Sequence, residues 1–121
     1  MSAKATVLRA DACEHITADW GGLTWYASGK LGNSGEMTVG KCVILPGREN
    51  PLHSHPNCSE TLVVTAGRVA HLIEDGSRVE LGVGDTITVP AGIIHNARCI
   101  SAEPAEMFIA FSSADRRMEK A

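Results

Sequence analysis

Long hydrophobic runs are missing from this 121-residue chain. No stretch approaches the roughly 20 apolar residues that a membrane-spanning helix needs. The longest, such as Met107–Phe111, have the length of a strand. The opening residues Met1-Ser2-Ala3-Lys4 lack the apolar run of a secretory signal. Basic clusters are missing as well: 11 Lys and Arg stand against 14 Asp and Glu, a net charge of −3. No patch would suit nucleic acid, and the acidic excess is too mild for a charged tail or a disordered chain. The four cysteines, Cys13, Cys42, Cys58 and Cys99, form neither a CxxC pair nor a dense framework. They read as reduced thiols, and the expected location is cytoplasmic. Helical periodicity is absent too. No internal repeat is visible, and a chain of this length has room for one core rather than two.

What the sequence does contain is glycine at intervals, prolines at corners, and short runs rich in Val, Ile, Thr and Leu. This is the pattern of many short strands joined by turns. Strands are expected at 23–27, 37–45, 53–55, 61–65, 68–74, 78–81, 86–89, 95–100 and 106–112. Asp75-Gly76 signals a hairpin, and Ala66-Gly67, Gly82–Gly84 and Pro90-Ala91-Gly92 signal turns. Residues 1–22 read as an N-terminal extension, either a short helix or an edge strand. Residues 23–112 read as the barrel and 113–121 as a tail. The fold class is all-β, an antiparallel sandwich or barrel that deals with its edges by closure or by a double-sheet jelly roll.

Three of the five histidines stand out. His53 and His55 lie two apart between Pro51 and Pro56. In an extended segment they point to one face, roughly 6.6 Å apart along the chain, and can converge on an ion. Glu60 follows His55 by five, an odd offset, so the strand must break between them, and Pro56-Asn57 supplies the break. Glu60 then opens a new strand on the face of Leu62 and Val64, where a carboxylate is costly unless it is paired or bound to metal. His95 follows the Pro90-Ala91-Gly92 corner on the face of Ala97 and Cys99. An HxH pair alone is weak evidence. Two imidazoles, a carboxylate and a further imidazole suit an ion with open positions better than a closed structural zinc site.

This pattern resembles the cupin superfamily. The first cupin motif, G-x5-HxH-x3–4-E-x6-G, is met by Gly47, His53, His55, Glu60 and Gly67 in GRENPLHSHPNCSETLVVTAG. The second, G-x5-PxG-x2-H-x3-N, is met by Gly84, Pro90, Gly92 and His95 in GDTITVPAGIIHNARC, with Cys99 in place of the final Asn. The resemblance implies a small antiparallel jelly-roll barrel, a double-stranded β-helix. It implies one divalent transition metal (Fe, Mn, Ni, Zn or Cu) held by His53, His55, Glu60 and His95. It also implies a small-molecule substrate or ligand and a homodimer. Two enzyme classes fit, a dioxygenase-type oxidoreductase, slightly favoured, and an isomerase, cyclase or lyase using the ion as a Lewis acid. A non-catalytic sensor barrel is the alternative. No catalytic residue beyond the ligands is marked.

Other residues carry weaker expectations. Cys99 reads as a small buried hydrophobe, and Cys58 as a loop thiol near the ligands. His71 reads as a structural or surface residue that would face inward only if Ala66-Gly67 were a two-residue hairpin loop. His15 is expected at the surface. Trp20, Trp25 and Tyr26 are expected in core or interface packing, or at the barrel mouth. Arg48, Glu49 and Asn50 are expected near the rim of the site. Phe108 and Phe111, out of phase on the last barrel strand, should face opposite ways.

Overall fold

The computed structural model describes residues 4–121. A 3₁₀ turn at Ala10–Ala12 precedes eleven strands. They are β1 (Glu14–Ala18), β2 (Gly21–Ala27), β3 (Thr38–Ile44), β4 (His53–Ser54), β5 (Glu60–Ala66), β6 (Val69–Leu72), β7 (Arg78–Leu81), β8 (Thr86–Val89), β9 (Ala97–Cys99), β10 (Ala105–Phe111) and β11 (Glu119–Lys120). One antiparallel sheet runs β1-β2-β3-β10-β5-β8, a second runs β7-β6-β9, and β11 pairs with β4. The fold is therefore all-β and antiparallel, as expected. Every expected strand is present, and β7 and β8 have the expected limits.

Alternation builds the core. Thr38, Gly40, Cys42 and Ile44 are buried along β3, and Glu60, Leu62 and Val64 along β5. On β10, between them, Ala105, Met107, Ile109 and Phe111 are buried. Met107 lies opposite Cys42 on one side and Val64 on the other. Ile44, Val64, Val69 and Met107 are almost wholly withdrawn from solvent, each contributing roughly 1.5–3 kcal/mol. Phe111 faces this core while Phe108 is exposed and stacks on Tyr26 at 6.2 Å. Trp25 lies opposite Gly40 in the β2–β3 register, and its indole covers the glycine. A Cβ at Gly40 would stand 2.5 Å from Trp25 Cε3. The glycine is therefore required by close approach of the ring.

Two turns differ from the simplest reading. Ala66-Gly67 does not close a hairpin: β5 pairs with β10 and β8, whereas β6 pairs with β7 and β9. Gly67, at φ +69°, instead carries the chain from one sheet to the other. Asp75-Gly76 does lie in a hairpin, but in a five-residue loop closed by Ile73 N–H donating to Ser77 O at 2.9 Å. The ends of the chain are also built into the sheets. Within the first 22 residues, β1 pairs with β2 along all five of its positions. Within 113–121, β11 pairs with β4, the strand that carries His53.

Candidate metal centre

Four elements bring the expected ligands together. His53 opens β4, and its backbone exchanges two hydrogen bonds with that of His95, at 3.1 and 2.8 Å. Gly92 N–H donates to His55 O at 2.9 Å, so the Pro90–Gly92 corner is tied to the HxH segment. That corner presents His95 beside His53, and Gly92 can make the turn because it tolerates φ +82°. Glu60 opens β5 pointing inward, between Val89 on one side and Phe111 on the other. His53, His55, Glu60 and His95 are all buried, and one donor atom from each lies within 4.8 Å of all the others.

The hydrogen bonds settle which ring nitrogens face the centre. His53 Nδ1 lies 2.7 Å from Pro51 O, and His55 Nδ1 lies 2.8 Å from Arg117 O. A carbonyl can only accept, so each Nδ1 carries the proton and each Nε2 keeps its lone pair. For His95 the same result is reached through a second ring. His71 Nδ1 donates to Leu72 O at 2.8 Å, which leaves His71 Nε2 an acceptor. His95 Nδ1 donates to it at 3.2 Å, so His95 Nε2 also keeps its lone pair.

Two of these lone pairs meet a carboxylate. His55 Nε2 is 3.4 Å and His95 Nε2 is 3.3 Å from Glu60 Oε1. None of these three buried atoms has a hydrogen-bond partner. Acceptors crowded at van der Waals distance repel each other, and each buried polar atom left unpaired costs ~1–3 kcal/mol. A cation among them removes both penalties, so the four side chains fit a divalent ion. The surroundings also favour the neutral form of His95, His53 and His71. Burial pulls His95 down to about 3, with His53, His71 and His55 adding to the effect. Burial likewise lowers His53 and His71 below the ordinary imidazole value. A neutral ring is the form that binds metal.

A cavity of roughly 270 Å³ opens onto this group. Trp20, Trp25 and Asn50 line it, as do Leu62, Met107 and Ile109. Of the three residues expected at the rim, only Asn50 lines this cavity; Arg48 and Glu49 border a separate surface groove with Arg98. Tyr26 packs outside, on Phe108. His15 is exposed, as expected. All four cysteines are free. Cys58 is buried apart from the four-residue group, and the Cys99 thiol turns to Glu103 O at 3.3 Å. Cys42 lines the cavity as a neutral thiol, pushed up to about 12 by burial.

Two functional contributions escaped the sequence reading. His71, expected to be structural or at the surface, is completely buried and holds His95 in its tautomer. The inward orientation was tied to a two-residue hairpin at Ala66-Gly67, and that hairpin does not form. The segment after β10 was read as a tail, yet it supplies the carbonyl that orients His55 and places Arg116 in the cavity wall. Nothing in its composition marked it.

A barrel of this topology, with three imidazoles and a carboxylate converging beneath an inner cavity, defines a metal-centre type of β-barrel. The model of the cupin domain family matches residues 40–111, more than half of the chain, and the chain belongs to that family. It is similar to germin-like protein 3-8 of Oryza sativa subsp. japonica, at 39% identity over 82 residues. The match covers 64% of this chain and 36% of that one. It is also similar to germin-like protein subfamily 3 member 3 of Arabidopsis thaliana, at 39% identity over 67 residues, 52% of this chain and 32% of that one. The chain thus spans about a third of the length of these plant relatives.

Among solved structures, oxalate decarboxylase of Lactobacillus farciminis in its formate complex superposes with a TM-score of 0.83 at 17% identity. It covers 91% of this chain and 34% of that one. An oxalate oxidase superposes with a TM-score of 0.74 at 20% identity, over 82% of this chain and 54% of that one. A conserved protein with a double-stranded β-helix domain from Klebsiella pneumoniae subsp. pneumoniae gives 0.73 at 20% identity, over 89% and 84%. At such identities the likeness is one of fold. Among the described residues no helix is long and apolar enough to cross a membrane.

Proposed function

We propose that His53, His55, Glu60 and His95 hold one divalent transition metal per chain, and that this cupin is an enzyme acting on a small polar organic molecule in the adjoining cavity. Dioxygenase-type oxidation is the preferred chemistry. The carrying observation is the meeting of His55 Nε2, His95 Nε2 and Glu60 Oε1, buried and partnerless, at 3.3–3.4 Å. When bound, such an ion supplies Lewis acidity and, if redox-active, electron transfer at the positions the four side chains leave open. The chain's own part is to hold the rings. Pro51 O, Arg117 O and His71 fix the three tautomers, and the apolar walls limit water around the centre. Among the described residues Glu60 is the one carboxylate lining the cavity, so none of them supplies a separate carboxylate base there.

The fold shared with an oxalate oxidase supports the oxidative reading. The fold shared with an oxalate decarboxylase favours a second, in which the ion serves as a Lewis acid for lyase or isomerase chemistry. Metal analysis of protein purified without added metal separates them. Iron together with O₂ consumption on a substrate panel supports oxidation, and zinc or manganese with redox-silent turnover supports the second reading. Ligand binding without turnover under any metal would make this a binding module. His53→Ala and His95→Ala should each abolish metal retention, and metal that survives both substitutions would refute the ligand assignment.

A further inference from the structure

The cavity has a charge pattern that metal binding leaves unused. Among the described residues Glu60 is its one lining carboxylate, yet two cations, Arg116 and Lys120, also line it, both from the segment after β10. This reverses the balance of a chain whose net charge is −3. Arg116 is half-buried, its guanidinium carbon 4.5 Å from the centre of the Trp25 ring and 5.3 Å from that of Phe111. Among the described residues it forms no ion pair, whereas its neighbour Arg117 pairs with Asp115 at the surface. Burial lowers its proton affinity, partly offset by Glu60, but a guanidinium remains charged under these conditions. A cation removed from water without an anion is costly. The guanidinium lies over the Trp25 ring, and its N–H rim is where a carboxylate binds in a fork.

The remaining walls decide what the anion is attached to. Leu23, Leu62, Met107 and Ile109 offer only apolar surface beside Trp20 and Trp25. A dicarboxylate as small as oxalate would leave these walls unfilled and bring a second charge with no second guanidinium in the cavity lining to meet it. Lys120, exposed at the edge of the cavity, can draw an anion in but is not enclosed with it.

We infer that Arg116 is the anion-holding residue of a substrate site whose occupant is a monocarboxylate with an apolar body, an aryl or branched-alkyl acid. The carboxylate meets the guanidinium rim and the body lies along Leu62, Met107 and Ile109. The inference rests on the metal reading above, because it takes this cavity to be the substrate chamber of that centre.

The test is calorimetric titration with phenylacetate and 4-methylpentanoate, each against its own amide, and with oxalate. It is run on metal-loaded and chelator-stripped protein, with metal content measured in every sample. Both acids should bind, with the amides at least about tenfold weaker. On stripped protein, where chelation plays no part, oxalate should also be weaker than either acid. Arg116→Gln should lower acid affinity about tenfold or more, leave the amides unchanged and leave metal content unchanged. Arg116→Lys, which keeps charge but loses the planar fork, should fall between. Equal binding of acid and amide, no binding of either acid, oxalate preferred on stripped protein, or a neutral Arg116→Gln would each overturn the inference. If Arg116→Gln does not fold, the acid–amide difference in the wild type and its reduction in Arg116→Lys decide the matter. An Arg116-dependent preference for acids in a protein that never holds metal would sustain the anion site while the metal reading fell.

Discussion

His95 and His71 are joined inside the barrel by a hydrogen bond of 3.2 Å, from Nδ1 of the first to Nε2 of the second. His71 is in turn anchored to Leu72 O at 2.8 Å. The pair works because the register of β6 against β9 sets His71 opposite Ala97, two residues beyond His95. The outer ring thereby determines which nitrogen of the inner ring is available to a metal.

His71→Phe should therefore weaken metal binding about 10–100-fold without removing a ligand. It should also cost ~1–3 kcal/mol of stability, because His95 Nδ1 would be left buried and unpaired. His71→Gln, which keeps an acceptor, should recover part of both losses. Competition with a chelator measures the first effect and chemical denaturation the second. Unchanged metal affinity in His71→Phe would show that the tautomer is held by something else.

Glu60→Gln should separate function from stability. The amide can donate to His55 Nε2 and His95 Nε2, the two lone pairs that now face an oxygen at 3.4 and 3.3 Å. Metal-free Glu60→Gln is expected to be more stable than metal-free wild type by ~1–3 kcal/mol, while its metal affinity collapses. Thermal melts with and without metal would show the crossing. A metal-free variant less stable than wild type would contradict the crowding of acceptors at this centre.

Metal-free protein should lose stability in mild acid. His95 is depressed to about 3 in the folded chain against 6.5 for a free imidazole, by burial first and by the neighbouring histidines second. His53 and His71 are lowered in the same direction, again chiefly by burial. Below about pH 6.5 the unfolded chain binds more protons than the folded one. Stability is therefore complete above that pH and declines as pH falls toward 3, by up to ~1.4 kcal/mol per unit for each ring. Melts between pH 7.5 and 4.5 should show this decline, delayed when metal is present. A flat profile in metal-free protein would mean that the rings protonate without leaving their places.

Gly40→Ala should destabilise the barrel although it adds a single methyl group. The new Cβ would stand 2.5 Å from both Trp25 Cε3 and Thr24 O. Backbone on one side and a packed indole on the other leave little to yield, and overpacking of this kind costs ~1–3 kcal/mol. Denaturation of Gly40→Ala and of the pair Gly40→Ala/Trp25→Leu would separate the indole's share of the clash from that of Thr24 O. A neutral single substitution would show that both Trp25 and the Thr24 backbone yield.

How much was legible differs from element to element. The strands could be read because alternation is local: Glu60, Leu62 and Val64 share a face in the sequence as they do in the barrel. The four clustered side chains could be read because their spacing encodes it, two residues within HxH and a proline break before Glu60. The turn at Gly67 was visible as a turn, but its role was not. A glycine at φ +69° serves a hairpin and a crossing between sheets equally well, and only the partners of β5 and β6 distinguish the two. The condition attached to His71 failed with it: the turn is no two-residue hairpin, yet His71 faces inward because β6 sets it opposite Ala97 on β9.

The sequence by itself determined an antiparallel all-β chain and the identity of the residues that converge on one point, because side-chain alternation and motif spacing act over a few residues. Tertiary structure alone decided that His71 would hold His95, that the carbonyl of Arg117 would orient His55, and that Arg116 would lie over Trp25 in the cavity wall. Each of these contacts joins positions 24 to 91 residues apart. No local pattern records such a pairing; it exists only once the sheets have closed and β11 has paired with β4.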